Sequence, residues 1–178
     1  AGFTLLEFIV VMAIIGILSA IVAPSWATFM NKHRVDAAEN QALQAMREAQ
    51  FKAKQEKQTW EASFQQEGEG EPIQWSVHRL GEEPLWQNLT ESNADKVEIY
   101  ESYTNLNNSE CEAGDYCVQF QDRGVVDEDW REVQNQWKRE LGRITFTSVN
   151  TGDNGPKRCV VVSTILGSIR SDSDDDCQ

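Results

Sequence analysis

The residue of this chain with the most distinctive chemical setting is Glu7, a single carboxylate at the edge of a long apolar run. From Phe8 to Met30 the sequence contains no charged residue. At about 1.5 Å per helical residue, this run is long enough to span the roughly 30 Å hydrocarbon core of a bilayer. An ionised carboxylate at the edge of such a segment is costly unless a positive charge meets it. Glu7 is therefore predicted to be a functional residue with a cationic partner.

Gly2, Phe3 and Thr4 precede Glu7, and Pro24 lies near the end of the apolar run. In these five residues the chain resembles the N-terminus of the type IV pilin and type II secretion pseudopilin superfamily. The resemblance implies that prepilin peptidase cleaves between Gly2 and Phe3 and that the new amine of Phe3 is methylated. It also implies that Glu7 pairs with the amine of a neighbouring subunit during assembly, which supplies the cationic partner.

Two other interpretations of the apolar N-terminus are a cleaved secretory signal and a plain membrane anchor. A signal peptide would have a basic start, a shorter core and a small-residue cleavage site, whereas this run is long and leads into a helical pattern. The plain anchor stays open as an alternative. The sequence begins at Ala1, two residues before the expected cleavage product, so a mature end at either Ala1 or Phe3 also stays open.

Four cysteines are the next residues whose spacing indicates chemistry: Cys111, Cys117, Cys159 and Cys177. An even number of cysteines beyond a membrane segment predicts disulfides, and four cysteines allow three connectivities. Proximity in sequence favours pairing the first two with each other and the last two with each other. A zinc site is the competing interpretation, but the spacings match no common zinc finger, and His33 and His78 are distant in sequence.

The sequence contains no catalytic constellation. It lacks a glycine-rich phosphate loop, a metalloprotease pair of histidines and a G-x-S-x-G nucleophile motif. Residues 172 to 176 are rich in aspartate and, with Asp153 and Asn154, could offer oxygen ligands to Ca²⁺. They lack the spacing and the glycine of an EF-hand loop, so a solvated tail is favoured. We therefore predict a protein that is not an enzyme and carries no cofactor or metal.

The charge of the chain disfavours nucleic acid as a partner. The net charge is −13, and residues 61 to 142 hold 19 acidic and 6 basic side chains. Such a surface repels phosphate backbones and favours solubility. The C-terminal turn and strands resemble those of H-type pseudopilins and FimT-like minor pilins. DNA-binding FimT-like proteins have one Arg after the turn glycine and a second two residues later, whereas here only Arg170 matches, after Gly167.

One long helix is predicted to carry the apolar run and to continue beyond it. Apolar residues recur at spacings of three and four from Val35 to Ala53, and Trp60 and Phe64 extend the stripe. The helix is therefore expected to be apolar on all sides over residues 1 to 30 and amphipathic over residues 31 to 66.

Two residues within this helix are predicted to bend it. Pro24 lacks a backbone donor, and Gly16 weakens the helix through its backbone entropy. A kink or a local unwinding is expected at these positions.

Residues 67 to 178 are expected to form a globular, β-rich head. The glycines and proline between residues 67 and 72 end the helix, and residues 73 to 77 then alternate as a strand does. Further strands are predicted at 97–100, 117–120, 144–148, 159–163 and 168–170, the last three as an antiparallel meander. A short helix or irregular turn is predicted between Asp127 and Leu141.

The predicted fold class is therefore α+β, with a long bent N-terminal helix packed on an antiparallel β-sheet head. The resemblance implies a structural subunit of a type IV pilus or pseudopilus-like extracellular filament, inserted in the inner membrane before assembly. The resemblance of the C-terminal turn and strands to those of minor pilins favours a minor subunit. The implied partners are other pilin subunits, prepilin peptidase and the inner-membrane assembly platform. The alternatives are the major pilin of the fibre and a membrane-anchored adhesin or ligand-binding module that never polymerises.

Overall fold

The computed structural model describes residues 4–68, 70–90, 94–106, 111–127 and 140–177, except for the side chains of residues 21–25 and 94. Within these residues one helix, α1 (Leu5–Glu56), is followed by eight strands. The strands are β1 (Trp60–Gln65), β2 (Gln74–Arg79), β3 (Gln87–Asn88), β4 (Val97–Ile99), β5 (Tyr116–Phe120), β6 (Gly142–Ser148), β7 (Arg158–Val162) and β8 (Ile169–Ser173). The predicted α+β class, a long N-terminal helix packed on antiparallel strands, is confirmed.

The two ends of α1 follow from local chemistry. Thr4 caps the N-terminus from an extended conformation, and its hydroxyl oxygen accepts a hydrogen bond from the backbone N–H of Glu7 at 3.3 Å. At the other end Lys57 adopts the left-handed conformation, with φ 59°, and its N–H donates to the carbonyl of Ala53 at 3.0 Å. The helix therefore ends before the predicted residue 66.

Trp60 and Phe64 lie in β1, so the prediction that they extend the helical stripe is wrong. A spacing of four residues fits one face of a helix, but it also fits one face of a strand, where every second residue points the same way. Residues 60 to 65 alternate between apolar and polar side chains. Because the helix ends before Lys57, the alternation of apolar and polar side chains determines the local structure, which is a strand.

The strands form two antiparallel sheets, with the orders β3-β2-β1-β5 and β4-β6-β7-β8. The C-terminal meander predicted from the sequence corresponds to β6, β7 and β8. The short helix or turn predicted between Asp127 and Leu141 falls largely on residues 128–139, outside the described residues.

The second half of α1 packs across both sheets and forms the core with them. Its buried stripe consists mainly of small residues, which let the helix approach the strands closely: Val35, Ala38, Ala42, Ala45, Met46, Ala49 and Ala53. Opposite this stripe lie the fully buried side chains of Phe64, Phe120, Ile144 and Phe146. Large side chains on the sheets thus fill the space that the alanines leave, which fixes the head to the helix.

Candidate functional site: the exposed apolar stem

The first part of α1 differs from the rest because none of it is covered by the head. Residues 4–20, which we call the stem, are exposed throughout. Its large apolar side chains range from 44 % exposed at Val11 to 78 % exposed at Leu5. A helix that is apolar on every side belongs in an apolar environment, and a patch of this extent marks an interaction surface.

In the part of the chain that the structure describes, no helix is both long enough and apolar enough to cross a bilayer.

Glu7 lies in the first turn of the stem, where the helix dipole favours a negative charge. Its side chain is exposed. No ion pair to its carboxylate is found among the described residues. Because Thr4 caps the first turn, the helix begins at a defined residue. Glu7 therefore lies at a defined position near the N-terminal end of the stem. The site therefore presents one anionic group and a large apolar surface.

The other residues predicted to act at the N-terminus are only partly placed by the structure. Gly2 and Phe3 lie outside the described residues. Gly16 is inside α1, and a Cβ added there would meet nothing within 4 Å, so packing within the chain does not require a glycine at this position. Pro24 falls within the range of α1, and its side chain is not among those described. The kink expected at Gly16 and Pro24 stays a prediction.

Aromatic side chains line α1 where the stem meets the head. The ring centroids of Trp26 and Phe29 are 6.2 Å apart, and Phe29 contacts His33 edge-on at 5.3 Å. Next to them a groove of about 590 Å³ runs between α1 and the first sheet, with Trp75 and Leu89 in its wall. Trp26 and Phe29 are more than half exposed. Exposed apolar side chains are therefore also present at the base of the head.

The structure pairs Cys111 with Cys117 and Cys159 with Cys177, which is the pairing favoured by proximity in sequence. Among the described residues no cysteine is free. The second disulfide joins β7 to the last turn of the chain, and both of its cysteines are fully buried. The zinc site weighed from the sequence would use the same four thiols, so this pairing argues against it.

The first disulfide closes a loop over the outer face of the first sheet, and a buried carboxylate fastens that loop. Glu61, in β1, is fully buried. It accepts hydrogen bonds from the hydroxyl of Ser63 at 2.5 Å and the amide of Gln119 at 2.7 Å. It also accepts bonds from the backbone N–H groups of Glu112 at 3.1 Å and Ala113 at 3.3 Å. These bonds offset the cost of burying a charge and hold the loop against the sheet.

Glu61 is not among the predicted site residues, because the helical pattern placed it in the helix. His78, the residue paired with Glu61 on β2, is also buried, and its Nε2 lies 3.7 Å from a carboxylate oxygen of Glu61. The signal that could have revealed the pair was the period-two alternation beginning at Trp60, which places every second residue of β1 on the outer face. His33, by contrast, is exposed and packs on Phe29.

The acidic C-terminal segment makes two ion pairs, while Asp174, Asp175 and Asp176 are exposed to solvent. Asp172 pairs with Arg170 at 2.5 Å, and Asp174 pairs with Arg158 at 3.2 Å. Asp153 instead accepts a hydrogen bond from the hydroxyl of Tyr100. Within the described ranges no group of three or more histidine, cysteine or acidic side chains could hold a metal ion.

With this geometry established, comparison with known proteins identifies the N-terminal segment. Residues 1–23 match the sequence profile of the prokaryotic N-terminal methylation motif. The chain carries a prokaryotic N-terminal methylation motif. The resemblance to the type IV pilin superfamily is thereby confirmed over this segment. No curated protein sequence matches the chain.

Among solved structures, the chain is similar to the crystal structure of the type IV minor pilin FimU of Pseudomonas aeruginosa (strain PAO1). The identity is 14 %, the TM-score is 0.47, and the match covers 84 % of this chain and 99 % of that chain. A likeness this distant carries no argument about function. The chain thus combines the methylation motif with a long helix packed on antiparallel sheets.

Proposed function

We propose that this protein is a subunit of a type IV pilus or pseudopilus-like filament, which is held in the inner membrane by its stem and then polymerises through it. The observation that carries the proposal is the stem itself, an apolar helix exposed on all sides with one carboxylate in its first turn. Such a surface is unfavourable in water, whereas lipid or the stems of other subunits would cover it equally well.

The apolar surface supplies the energy of assembly but little specificity. Covering one large apolar side chain is worth roughly 1.5 to 3 kcal/mol relative to water. The stem exposes many such side chains, and Leu5, Leu6 and Ile17 are at least 65 % exposed. Since stems can slide past each other without changing the apolar area they bury, this term does not select one axial position.

Glu7 provides the selection that apolar packing lacks. A carboxylate removed from water needs a cation at hydrogen-bonding distance, and a subunit shifted along the bundle axis would bury it without one. The amine created by cleavage before Phe3 is the partner that we propose, contributed by a neighbouring subunit. Prepilin peptidase and the inner-membrane assembly platform are the other partners that we propose. We further propose that the protein is a minor subunit of the filament.

The test replaces Glu7 and measures how much of each variant enters filaments sheared from intact cells. Glu7→Val keeps an apolar side chain, so the variant should accumulate in the membrane fraction and be largely absent from sheared fibres. Breaking a buried pair costs on the order of 3 to 5 kcal/mol, less where water reaches it. Glu7→Asp should be intermediate because its carboxylate reaches less far.

The matched control is Glu48→Gln, which removes an acid from the exposed face of the same helix, where Glu48 pairs with Lys52. This variant should enter filaments like the wild type. If Glu7→Val also enters filaments at the wild-type level, Glu7 does not set the register. If wild-type protein stays with the membrane after shearing, the chain is a membrane-anchored module that does not polymerise, and the proposal fails. The amount in the fibre fraction separates a minor subunit from the major one.

A further inference from the structure

Strand β8 ends the second sheet, in which the strand order is β4-β6-β7-β8. Its inner edge pairs with β7 along its full length, from Ile169 to Ser173. The outer edge faces away from the sheet. Ser171 and Ser173 are exposed, as expected for residues at an uncovered edge.

Two backbone hydrogen bonds establish which groups of β8 point outwards. The N–H of Ser163 donates to the carbonyl of Ser168 at 2.8 Å, and the N–H of Asp174 donates to the carbonyl of Lys157 at 2.9 Å. Because hydrogen-bonded and non-hydrogen-bonded pairs alternate along an antiparallel ladder, residues 170 and 172 bond to β7. The N–H and C=O groups of residues 169, 171 and 173 therefore point away from the sheet. Within the described part of the chain, the outward groups of residues 169 and 171 and the N–H of Ser173 have no hydrogen-bond partner.

A polar pocket lies beside this open edge. Its volume is about 330 Å³, and it is lined by Glu39, Arg158, Ser171, Asp172, Ser173 and Asp176. Ser171 is paired with Val160, a core residue on the side of the sheet that faces α1, so its side chain also faces α1. A residue placed opposite Ser171 on an added strand would point to this same side.

The pocket has an excess of negative charge. Three of its lining residues are acidic, and of these Asp172 pairs with Arg170 at 2.5 Å, while Arg158 binds Asp36 at 2.6 Å. Glu39 and Asp176 are therefore the lining acids that could take a further cation. Glu39 is only 8 % exposed, and burial raises its pKa although Ser171 bonds to it. A buried acid whose charge is poorly compensated is a favourable neighbour for a cation.

We propose that β8 is a docking edge for an extended basic segment of a partner protein. The segment adds to the sheet as a fifth strand and places a lysine or arginine beside Glu39. The outward groups of residues 169, 171 and 173 supply the backbone bonds, as in other cases of strand addition. The carboxylates of the pocket select the charge of the segment.

The same charges argue against a second copy of this chain as the occupant. Pairing of β8 with β8 would bring the acidic residues of one copy against those of the other, and like charges across an interface disfavour association. The surface lies on the head, so the proposal does not depend on assembly through the stem.

The proposal is tested with the full-length protein in a non-ionic detergent. The probe is a fluorescein-labelled peptide of eight residues in which valine and lysine alternate, and the matched probe has glutamate in place of each lysine. Fluorescence anisotropy should show saturable binding of the lysine peptide at least tenfold tighter than that of the glutamate peptide. Hydrogen exchange should slow at the amides of residues 169, 171 and 173 when the lysine peptide is bound.

Two variants separate the backbone edge from the pocket. Ser171→Pro removes an outward donor and leaves the bonds to β7 in place, so it should weaken binding at least tenfold. Ser171→Ala removes only the hydroxyl that bonds to Glu39, so it is the control for the pocket and should keep most of the binding. Glu39→Gln should weaken binding several-fold and reduce its salt dependence. Asp175→Asn is the matched control, because it removes an exposed acid that does not line the pocket, and it should bind like the wild type.

Several outcomes would overturn the proposal. Equal binding of the two peptides would show that charge does not select the segment. If neither peptide bound, β8 would not be a docking edge. Binding without slower exchange at residues 169, 171 and 173 would show attraction to the acidic surface without strand addition. This exchange measurement uses the wild-type chain, so it tests strand addition even if Ser171→Pro fails to fold. Self-association that protects the same amides would make a second copy the occupant.

Discussion

Asp36 of α1 and Arg158 of β7 form an ion pair that fastens the helix to the second sheet. Nε of Arg158 donates to Oδ1 of Asp36 at 2.6 Å. The same guanidinium donates from Nη1 to the carbonyl of Lys157 at 2.9 Å and to Asp174 at 3.2 Å. Burial works against the charged guanidinium, but Asp36 and Asp174 outweigh it, so the pKa of Arg158 is raised. The pair lies at the base of the head, close to the start of the buried stripe of α1.

Removing this pair should destabilise the head. Asp36→Asn leaves the guanidinium in place, with its side chain 12 % exposed and Asp174 as its remaining acid. We expect a loss of about 1 to 2 kcal/mol in the free energy of unfolding, since a hydrogen bond between charged groups is lost in a partly buried site. The measurement is urea unfolding of the full chain in detergent.

Glu48→Gln is the control for this experiment. It breaks an exposed pair four residues apart on the same helix, between Glu48 and Lys52 at 2.7 Å. Exposed pairs of this kind contribute about 0.3 to 0.5 kcal/mol. Equal effects of Asp36→Asn and Glu48→Gln would show that the Asp36–Arg158 pair contributes no more than a surface contact.

Glu39 should make the stability of the head depend on pH. Burial raises its pKa above the ordinary value of 4.5, while Ser171 and Arg158 act to lower it and Asp36 and Asp172 act to raise it. Since the folded state holds the proton more tightly than the unfolded state, ionised Glu39 destabilises the fold above its folded pKa. Glu39→Gln should therefore be more stable than the wild type at pH 7.

This gain should shrink as the pH falls through the raised pKa of Glu39. It should vanish below 4.5, where the wild-type side chain is neutral in both states. Thermal unfolding of both proteins between pH 4 and 8 tests the prediction. A difference in melting temperature that stays constant across this range would mean that the charge of Glu39 is not responsible.

The two disulfides should stabilise the head to different extents. On the chain-entropy estimate, closing the loop of 18 residues between Cys159 and Cys177 is worth roughly 3 kcal/mol, and the loop of 6 between Cys111 and Cys117 somewhat less. Replacing each pair by serine should lower the melting temperature, more so for the buried second pair. Non-reducing peptide mapping of the wild type provides the check on connectivity, and a link between Cys111 and Cys159 would refute the pairing.

The methylation motif predicts the chemistry of the mature N-terminus. Mass spectrometry of the exported protein should give an N-terminal peptide that begins at Phe3 and carries one added methyl group. The amine would then lie four residues before Glu7 in the sequence. A mature chain that begins at Ala1 would contradict the prediction and place Glu7 two residues farther from the amine.

What the sequence alone determined about this protein is its long N-terminal helix and the methylation motif at the start of that helix. A long uncharged apolar run, the Gly2-Phe3 step and Glu7 are local features, so they can be read without knowing what packs against them. The methylation motif confirms the resemblance that they indicated. The stripe from Val35 to Ala53 likewise follows from helical periodicity, which belongs to the helix itself.

Only the tertiary structure decided how the head is built and where its polar groups meet. Trp60 and Phe64 fit a helix and a strand equally well by spacing, and pairing with β2 and β5 settles the choice in favour of β1. Contacts such as Glu61 with Gln119, 58 residues apart, and Asp36 with Arg158, 122 residues apart, join separate elements. No local pattern encodes them, because hydrogen bonds across such distances depend on how helix and sheets pack, and packing is a property of the whole fold.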